Sequence, residues 1–326
     1  MIISRTPLRM SLVGGGSDLP AFYRRKCGAV LSTTIDKYIY VTVNKKFDEG
    51  VRIAYSKNEE VKSVAQIEHR IVRTTMDYLG LRGGVEITTI ADVPSDGTGL
   101  GSSSTFTVGL LHVLNAYLGR YTSAERLGAD ACTIEIDICS EPIGKQDQYA
   151  AAFGGLNLIE FYPDETVIVS PVICKPETIA EVQRNTLLLY TGIARSASSL
   201  LREQSAIVAE NKDKYSTIAS MARLAYVLRD ELQNNNPQAI GEILHENWML
   251  KKSVTNSISS PTIDQWYETA IKAGATGGKI LGAGAGGFLM LYAPHDRHDL
   301  IKASLPELRE IPIGFEPLGS RIIFYH

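Results

Sequence analysis

Apolar positions along the chain follow two periods. At 8–13 and 29–43 they fall among β-branched and aromatic residues, including Tyr38 and Tyr40, a pattern that predicts strands. Apolar residues recur at helical spacing over 64–79, and the run Val-Glu-Ile-Thr-Thr-Ile-Ala at 85–91 predicts another strand. Phe106, Leu110, Leu111, Leu114 and Leu118 then predict a helix, with two more over 123–139 and 145–153. Gly154-Gly155 opens strands at 156–161 and 166–172, with a Pro163-Asp164 turn between them.

The composition shifts at 171–176, which places the expected domains at 1–172 and 173–326. The second half begins with a strand at 186–191 and turns largely helical from 197 to 272, interrupted at Asn234–Pro237 and Ser260-Pro261. Two strands flank a glycine run at 282–287, and a helix near 296–305 and a strand at 319–325 close the pattern. Strands and helices intermix without regular βαβα alternation, so the expected class is α+β. A length of 326 residues also exceeds one ordinary core, in keeping with two domains.

Composition narrows the function classes. The chain is 44% hydrophobic and 21% charged, as expected of a soluble globular protein. A net charge of -3 supplies no global basic field for nucleic acid. Arg5, Pro7 and Arg9 break the first apolar run, and no other run approaches a membrane span. The expectation is a cytoplasmic protein without a membrane partner. Cys27, Cys132, Cys139 and Cys174 show no metal-binding spacing and are expected as reduced thiols.

Chemistry concentrates in Pro94-Ser-Asp-Gly-Thr-Gly-Leu-Gly-Ser-Ser-Ser-Thr105, between a predicted strand and a predicted helix. Glycines let the backbone approach a ligand, and a helix start offers free N–H groups and a positive dipole end. Together they suit a polyphosphate. The segment lacks the P-loop lysine, and its glycines fall as GxGxG rather than GxGxxG. A glycine-rich turn with serine N-caps is the plainer alternative. The run Gly282-Ala-Gly-Ala-Gly-Gly287 does spell GxGxxG, but it leads into Phe288-Leu-Met-Leu-Tyr292, a strand pattern where the fingerprint must open a helix. A third run, Gly14-Gly-Gly16, leaves the first strand.

Two acids stand out. Glu135 borders the apolar stripe Leu127, Ala131, Ile134 and Ile138, where a carboxylate needs a cation or hydrogen-bond donors. Mg²⁺ shared with a phosphate would suit it, and a glutamate reaching solvent or a lysine fits its position equally. Asp147, in Gly144-Lys-Gln-Asp-Gln148, is either a helix-start charge or a base for a hydroxyl attacking phosphorus. Arg9 would keep it ionised if close.

In order along the chain, Pro7–Asp18, Pro94–Ser104 and Gly282–Phe288, with Asp147 between the last two, resemble the galactokinase/homoserine kinase/mevalonate kinase/phosphomevalonate kinase (GHMP) superfamily over essentially the whole chain. The resemblance implies an N-terminal domain like the second domain of ribosomal protein S5, a ferredoxin-like C-terminal domain, and ATP in the cleft between them. It implies that Gly97, Gly99, Leu100, Gly101, Ser102, Ser103 and Ser104 hold ATP phosphates, and that Ser103 and Glu135 bind Mg²⁺. Asp147 becomes the base with Arg9 beside it, Asp18 contacts sugar hydroxyls, and Gly284 and Gly286 shape the C-terminal side of the cleft.

Gly15-Gly16 replaces the Glu-His of galactokinases and opens space for a different sugar. Gly14–Pro20, Gly144–Gln148, Tyr190–Ser196 and Asn247–Lys252 look like the D-glycero-D-manno-heptose 7-phosphate kinase group, which implies an ATP-dependent 1-kinase in nucleotide-activated heptose biosynthesis. Fucokinase domains are the near alternative. A non-catalytic regulator on the same fold is a third, disfavoured because Arg9, Ser103, Glu135 and Asp147 are all present. A sugar phosphate is thus the expected partner, and a homodimer stays open. Its phosphate needs a cation. Arg24, Arg25, Lys26, Lys175, Arg195 and Lys251 are available, and Arg195 is selected because it lies between a strand end and a helix start.

Overall fold

The computed structural model describes residues 1–94, 97–193 and 197–326, with nothing stated for the side chain of Ala197. A first sheet is built from β1 (Ile2–Val13), β2 (Gly28–Lys45), β3 (Val51–Ala54), β4 (Asn58–Val61), β5 (Val85–Ala91), β6 (Asn157–Phe161) and β7 (Val167–Pro171). At 18 residues, β2 is long enough to serve three partners, all antiparallel: β1 along Leu31–Val43, β6 at Gly28–Ser32 and β5 at Ile39–Lys45. β3 runs parallel to β5, and its antiparallel partner β4 forms the edge.

The helix Ser102–Tyr117 packs on β1 and β2 and is buried nearly all round. That burial explains why its sequence is apolar on every face. Gly109 lets it sit close, since a Cβ there would lie 2.8 Å from Thr6 Oγ1.

The second sheet is fully antiparallel, in the order β11 (Arg309–Glu310), β8 (Thr186–Tyr190), β10 (Phe288–Tyr292), β9 (Gly277–Ile280). Leu187, Leu189, Leu289 and Leu291 share a core with Trp248, Ile263, Trp266 and Ile301 from the surrounding helices. The two-domain α+β class is as expected. The final strand, β12 (Arg321–Tyr325), leaves this half and pairs antiparallel with β1. Alternation predicts a strand there but carries no information about which sheet edge accepts it.

Two predicted helices are interrupted. Over 64–79 the chain forms a 3₁₀ turn, Val64–Gln66, and then a helix, Arg70–Leu79. The break falls where the Glu59 carboxylate accepts the Glu68 and His69 backbone N–H groups, at 2.6 and 3.1 Å. Over 123–139 an α-helix, Ala124–Cys132, runs into a π-helix, Thr133–Ile138. The four-residue strands β3 and β4 and the helices Pro20–Tyr23 and Pro176–Asn185 lie outside the sequence pattern recognised above.

The halves meet through backbone. Lys279 Nζ donates to the Ser11 and Leu12 carbonyls at 2.9 and 3.2 Å, and Gly14 N–H donates to Asn247 Oδ1 at 3.2 Å. The glycine runs interleave: a Cβ on Gly99 would lie 2.4 Å from the Leu281 carbonyl oxygen, and one on Gly287 2.3 Å from that of Thr98. Gly80 has nearly the same left-handed backbone as Gly99 (φ +75° against +77°), yet has nothing within 4 Å of its Cβ position. Gly80→Ala should therefore cost about 1 kcal/mol from backbone conformation alone. Gly99→Ala adds a backbone collision and should cost about 3 kcal/mol or more. Urea denaturation of both variants checks this, and equal losses would contradict it.

Candidate active site

Between the halves lies a cavity of about 370 Å³, which collects most of the residues singled out in the sequence. The glycine-serine loop forms one wall. Gly101, at φ +76°, is the N-cap of the helix Ser102–Tyr117, with no side-chain capping bond. The serines therefore occupy the first turn rather than the cap, which corrects the plainer alternative. Their position leaves the helix start open to an anion. Thr98 and Ser102 hydroxyls stand 3.4 Å apart. The Leu100 side chain is buried in the core, and its carbonyl accepts the Arg9 backbone N–H at 3.2 Å.

Arg9 grips Asp147 with a two-pronged fork. Its Nε donates to Oδ1 and one terminal nitrogen donates to Oδ2, each at 2.7 Å. The other terminal nitrogen donates to the Gly99 carbonyl at 2.6 Å, tying the pair to the loop. Such charge-assisted, bidentate contacts fix geometry as well as charge. Asp147 sits in the first turn of the helix Gln146–Phe153 and keeps 23% of its side chain exposed, whereas Arg9 keeps 4%. A Cβ on Gly101 would lie 3.1 Å from Asp147 Oδ2, so the loop backbone and the carboxylate are in direct contact.

Asp18 is buried beside them. One carboxylate oxygen accepts the Gly16 N–H at 2.9 Å, and the other accepts the Gln146 N–H at 3.4 Å. Burial raises its pKa, the Gly16 and Gln146 N–H bonds oppose the rise, and the Asp147 charge adds to it. Gly15 and Gly16 line the same wall.

Ser103 and Glu135 come together. Ser103 Oγ donates to one Glu135 carboxylate oxygen at 3.2 Å, and Gln148 Nε2 donates to the other at 2.6 Å. The π-turn adds a residue to the helix and carries Glu135 from the border of the apolar stripe to full burial. Burial pushes its pKa up to about 7, against hydrogen bonds from Ser104, Gln148, Thr107 and Ser103 that pull it down. No ion pair reaches it among the described residues. A buried carboxylate with neutral donors alone fits a cation, which would restore its charge. Among the described residues no cluster of three or more His, Cys, Asp or Glu side chains forms a protein metal cage. This donor set suits Mg²⁺, which takes few protein oxygens and keeps several waters.

A second cavity, about 620 Å³, shares Ile71, Ser102 and Ser103 with the first. Ile39, Tyr55, His69 and Phe106 line it, with the His69 ring 4.7 Å from Tyr55 and 5.3 Å from Phe106. Nothing in the sequence pattern marked these rings as one surface, because they come from separate elements.

The remaining sequence candidates divide. Gly284 and Gly286 stand away from the cavity: a Cβ on either would strike the backbone of Ile258 or Ile193, at 2.7 and 2.5 Å. Gly282 and Ala283 line it instead. Arg195 lies outside the described residues. Arg24 pairs with Glu165 at 2.7 Å, and Arg25 lies over the Tyr215 ring. Lys251 does reach the cavity, fully buried, with Nζ donating to the Gly282 carbonyl. Burial, reinforced by the Arg9 charge, lowers its pKa to about 8, while Asp18 and Asp147 oppose the shift. Sequence reasoning missed Lys279, Ser11, Gln146 and Gln204 in this cavity. A lysine inside the fully buried strand β9 was the one available signal.

A glycine-serine loop opening a helix, an arginine-held aspartate and a cation-ready glutamate, set between two α+β domains, define a phosphotransferase. The chain belongs to the GHMP kinase family: the model for "GHMP kinases N terminal domain" matches residues 64–155 and that for "GHMP kinases C terminal" matches 228–309. ATP is the phosphoryl donor in this family. The chain is 33% identical to the D-glycero-alpha-D-manno-heptose 7-phosphate kinase of Campylobacter jejuni, covering 93% of this chain and 92% of that one. The crystal structure of a D-glycero-D-manno-heptose 1-phosphate kinase from Bacteriodes thetaiotaomicron superposes with a TM-score of 0.82 at 27% identity, over 100% of both chains. The bifunctional fucokinase/GDP-fucose pyrophosphorylase of Arabidopsis thaliana is 24% identical over 88% of this chain and 29% of its own. The protein is a sugar kinase of the GHMP family. No helix among the described residues is long and apolar enough to cross a membrane.

Proposed function

We propose that this protein transfers the γ-phosphoryl group of ATP to the anomeric hydroxyl of D-glycero-D-manno-heptose 7-phosphate, in the cytoplasm. The observation that carries the reaction is the Arg9–Asp147 fork, tied to the phosphate loop and facing the cavity. The choice of sugar is supported by the likeness to heptose phosphate kinases and by Gly15-Gly16, which stand where galactokinases carry larger side chains; Gly15 leaves room, while the Gln204 amide fills the space beside Gly16. Domains at 1–172 and 173–326 frame the site, with β12 returning to the first sheet.

The aromatic cavity receives the adenine base, and the loop from Gly97 to Ser104 receives the phosphates through its N–H groups and hydroxyls. Ser103 and Glu135 would hold Mg²⁺, which neutralises charge on the donor phosphates when bound. Asp147 accepts the proton of the attacking hydroxyl while Arg9 fixes its orientation. An anomeric hydroxyl is more acidic than an ordinary alcohol, so a carboxylate held by arginine suffices as its base. Lys251 lies close enough to Arg9, Asp18 and Asp147 to feel their charges, and supplies a positive charge at this end of the cavity. Arg195, which lies outside the described residues, keeps its proposed place as the partner of the distal phosphate. Positioning and charge complementarity therefore carry the catalysis.

The two heptose kinase relatives differ by name in where the substrate phosphate sits, at C7 or C1. Transfer from ATP to a panel of hexoses, heptoses and their phosphates, read by phosphorus NMR, decides the substrate. We expect turnover on heptose 7-phosphate with a new signal at C1. Equal turnover on unphosphorylated fucose would replace this substrate with the fucokinase alternative. ATP binding without transfer to any sugar would leave a regulator.

A further inference from the structure

Three polar atoms in the cavity are buried and have no hydrogen-bond partner among the described residues: Ser11 Oγ, Gln146 Oε1 and Gln204 Nε2. Ser11 and Gln204 are almost completely buried, at 3% and 2% exposure. An unpaired buried polar atom costs stability, so three lining one cavity call for a ligand that pairs with them. All three side chains stand against the Gly15-Gly16 turn. A Cβ on Gly16 would lie 2.4 Å from Gln204 Nε2, and a Cβ on Gly15 would lie 3.5 Å from Ser11 Oγ and 3.7 Å from Gln146 Nε2. The helix Ala197–Glu210 brings Gln204 to this place, opposite the loop that follows β1.

The chemistry of the set selects its ligand. A hydroxyl, an amide oxygen and an amide N–H are neutral and offer both donors and acceptors. A phosphate only accepts, and its oxygens would meet the Gln146 Oε1 lone pairs. A sugar hydroxyl both donates and accepts, and can pair with all three.

We infer that Ser11, Gln146 and Gln204 form the subsite that reads neutral hydroxyls of the acceptor sugar, with Gln204 placed over the gap left by Gly16. The inference rests on the sugar kinase reading given above. The distal phosphate then lies outside this wall, and Gly15-Gly16 are small so that sugar and amides can share the space. Neutral side chains from both halves of the molecule thus work beside the Asp18 carboxylate on the same wall.

Gln204→Leu keeps the volume and removes the amide. It should raise KM for the accepted sugar about tenfold, as expected for one lost hydrogen bond, with KM for ATP unchanged. It should also raise the melting temperature of the ligand-free protein, because an unpaired buried donor is gone. Ser11→Ala should raise the sugar KM severalfold in the same way. A matching test uses deoxy analogues of the sugar: the wild type should lose affinity for one of them, and Gln204→Leu should lose no more. A lower melting temperature with unchanged sugar KM would show a purely structural glutamine and overturn the proposal, and Gln204→Asn checks that result with the amide kept but displaced. If no sugar in the panel is phosphorylated by the wild type, the kinase reading fails and the subsite falls with it. If a sugar is phosphorylated and these variants handle it normally, the subsite alone fails.

Discussion

Asp147→Asn is expected to lower kcat by about 10²- to 10⁴-fold, the range for losing a positioned general base. Asparagine is nearly the same shape but cannot take a proton from the sugar hydroxyl. Affinity for ATP, measured by calorimetry, should change little, because the proposed phosphate site is the loop and helix start rather than this carboxylate. The substitution also deprives Arg9 of a charged partner in a place where the arginine is almost fully buried. Some loss of stability is expected, so activity must be measured well below the variant's melting temperature. Arg9→Lys provides the complement: it keeps a charge but loses the fork, so kcat should fall while the base remains. An Asp147→Asn enzyme with near-normal kcat would remove Asp147 from the base role.

Glu135→Gln should raise the Mg²⁺ concentration needed for half-maximal activity by tenfold or more, since one anionic oxygen donor is lost. It also makes a prediction about pH. The folded-state pKa of Glu135 is raised, to about 7 from an ordinary 4.5. Below pH 4.5 the carboxyl is protonated in both folded and unfolded chains, and its contribution to stability is fully present. As pH rises towards 7 the unfolded chain ionises first, and this contribution is lost, to a total of roughly 3 kcal/mol. The nucleotide-free protein should therefore melt at progressively lower temperature across that interval, and Glu135→Gln should flatten the slope. Mg²⁺ with nucleotide should restore stability at neutral pH in the wild type and less so in the variant. An unaltered Mg²⁺ requirement together with an unaltered pH slope would remove Glu135 from the metal site.

Much of the site could be read before any fold was known. Gly101 needs a left-handed backbone to open the helix at Ser102, and that requirement is written into the spacing of the loop. Glu135 stood at the border of a stripe in the pattern, yet its burial depends on a π-turn that helical periodicity does not encode. The choice between Arg195 and Lys251 was not legible. Both are cations near element ends in the sequence; the helix of Lys251 delivers it to the cavity, and Arg195 lies outside the described residues. The aromatic cavity was invisible for a similar reason, since Tyr55, His69 and Phe106 belong to three separate segments.

The sequence by itself determined the strands and helices of longer period, the glycine-serine loop and the class of chemistry, because these depend on residues within a few positions of one another. The tertiary structure decided that Arg9 meets Asp147 across 138 positions, and that Lys279 reaches the Ser11 carbonyl across 268. It also decided that β12 crosses to β1 and that Ser11, Gln146 and Gln204 share one wall. Such pairings are fixed by burial and sheet edges, which bring distant residues together without leaving any periodic trace in the chain.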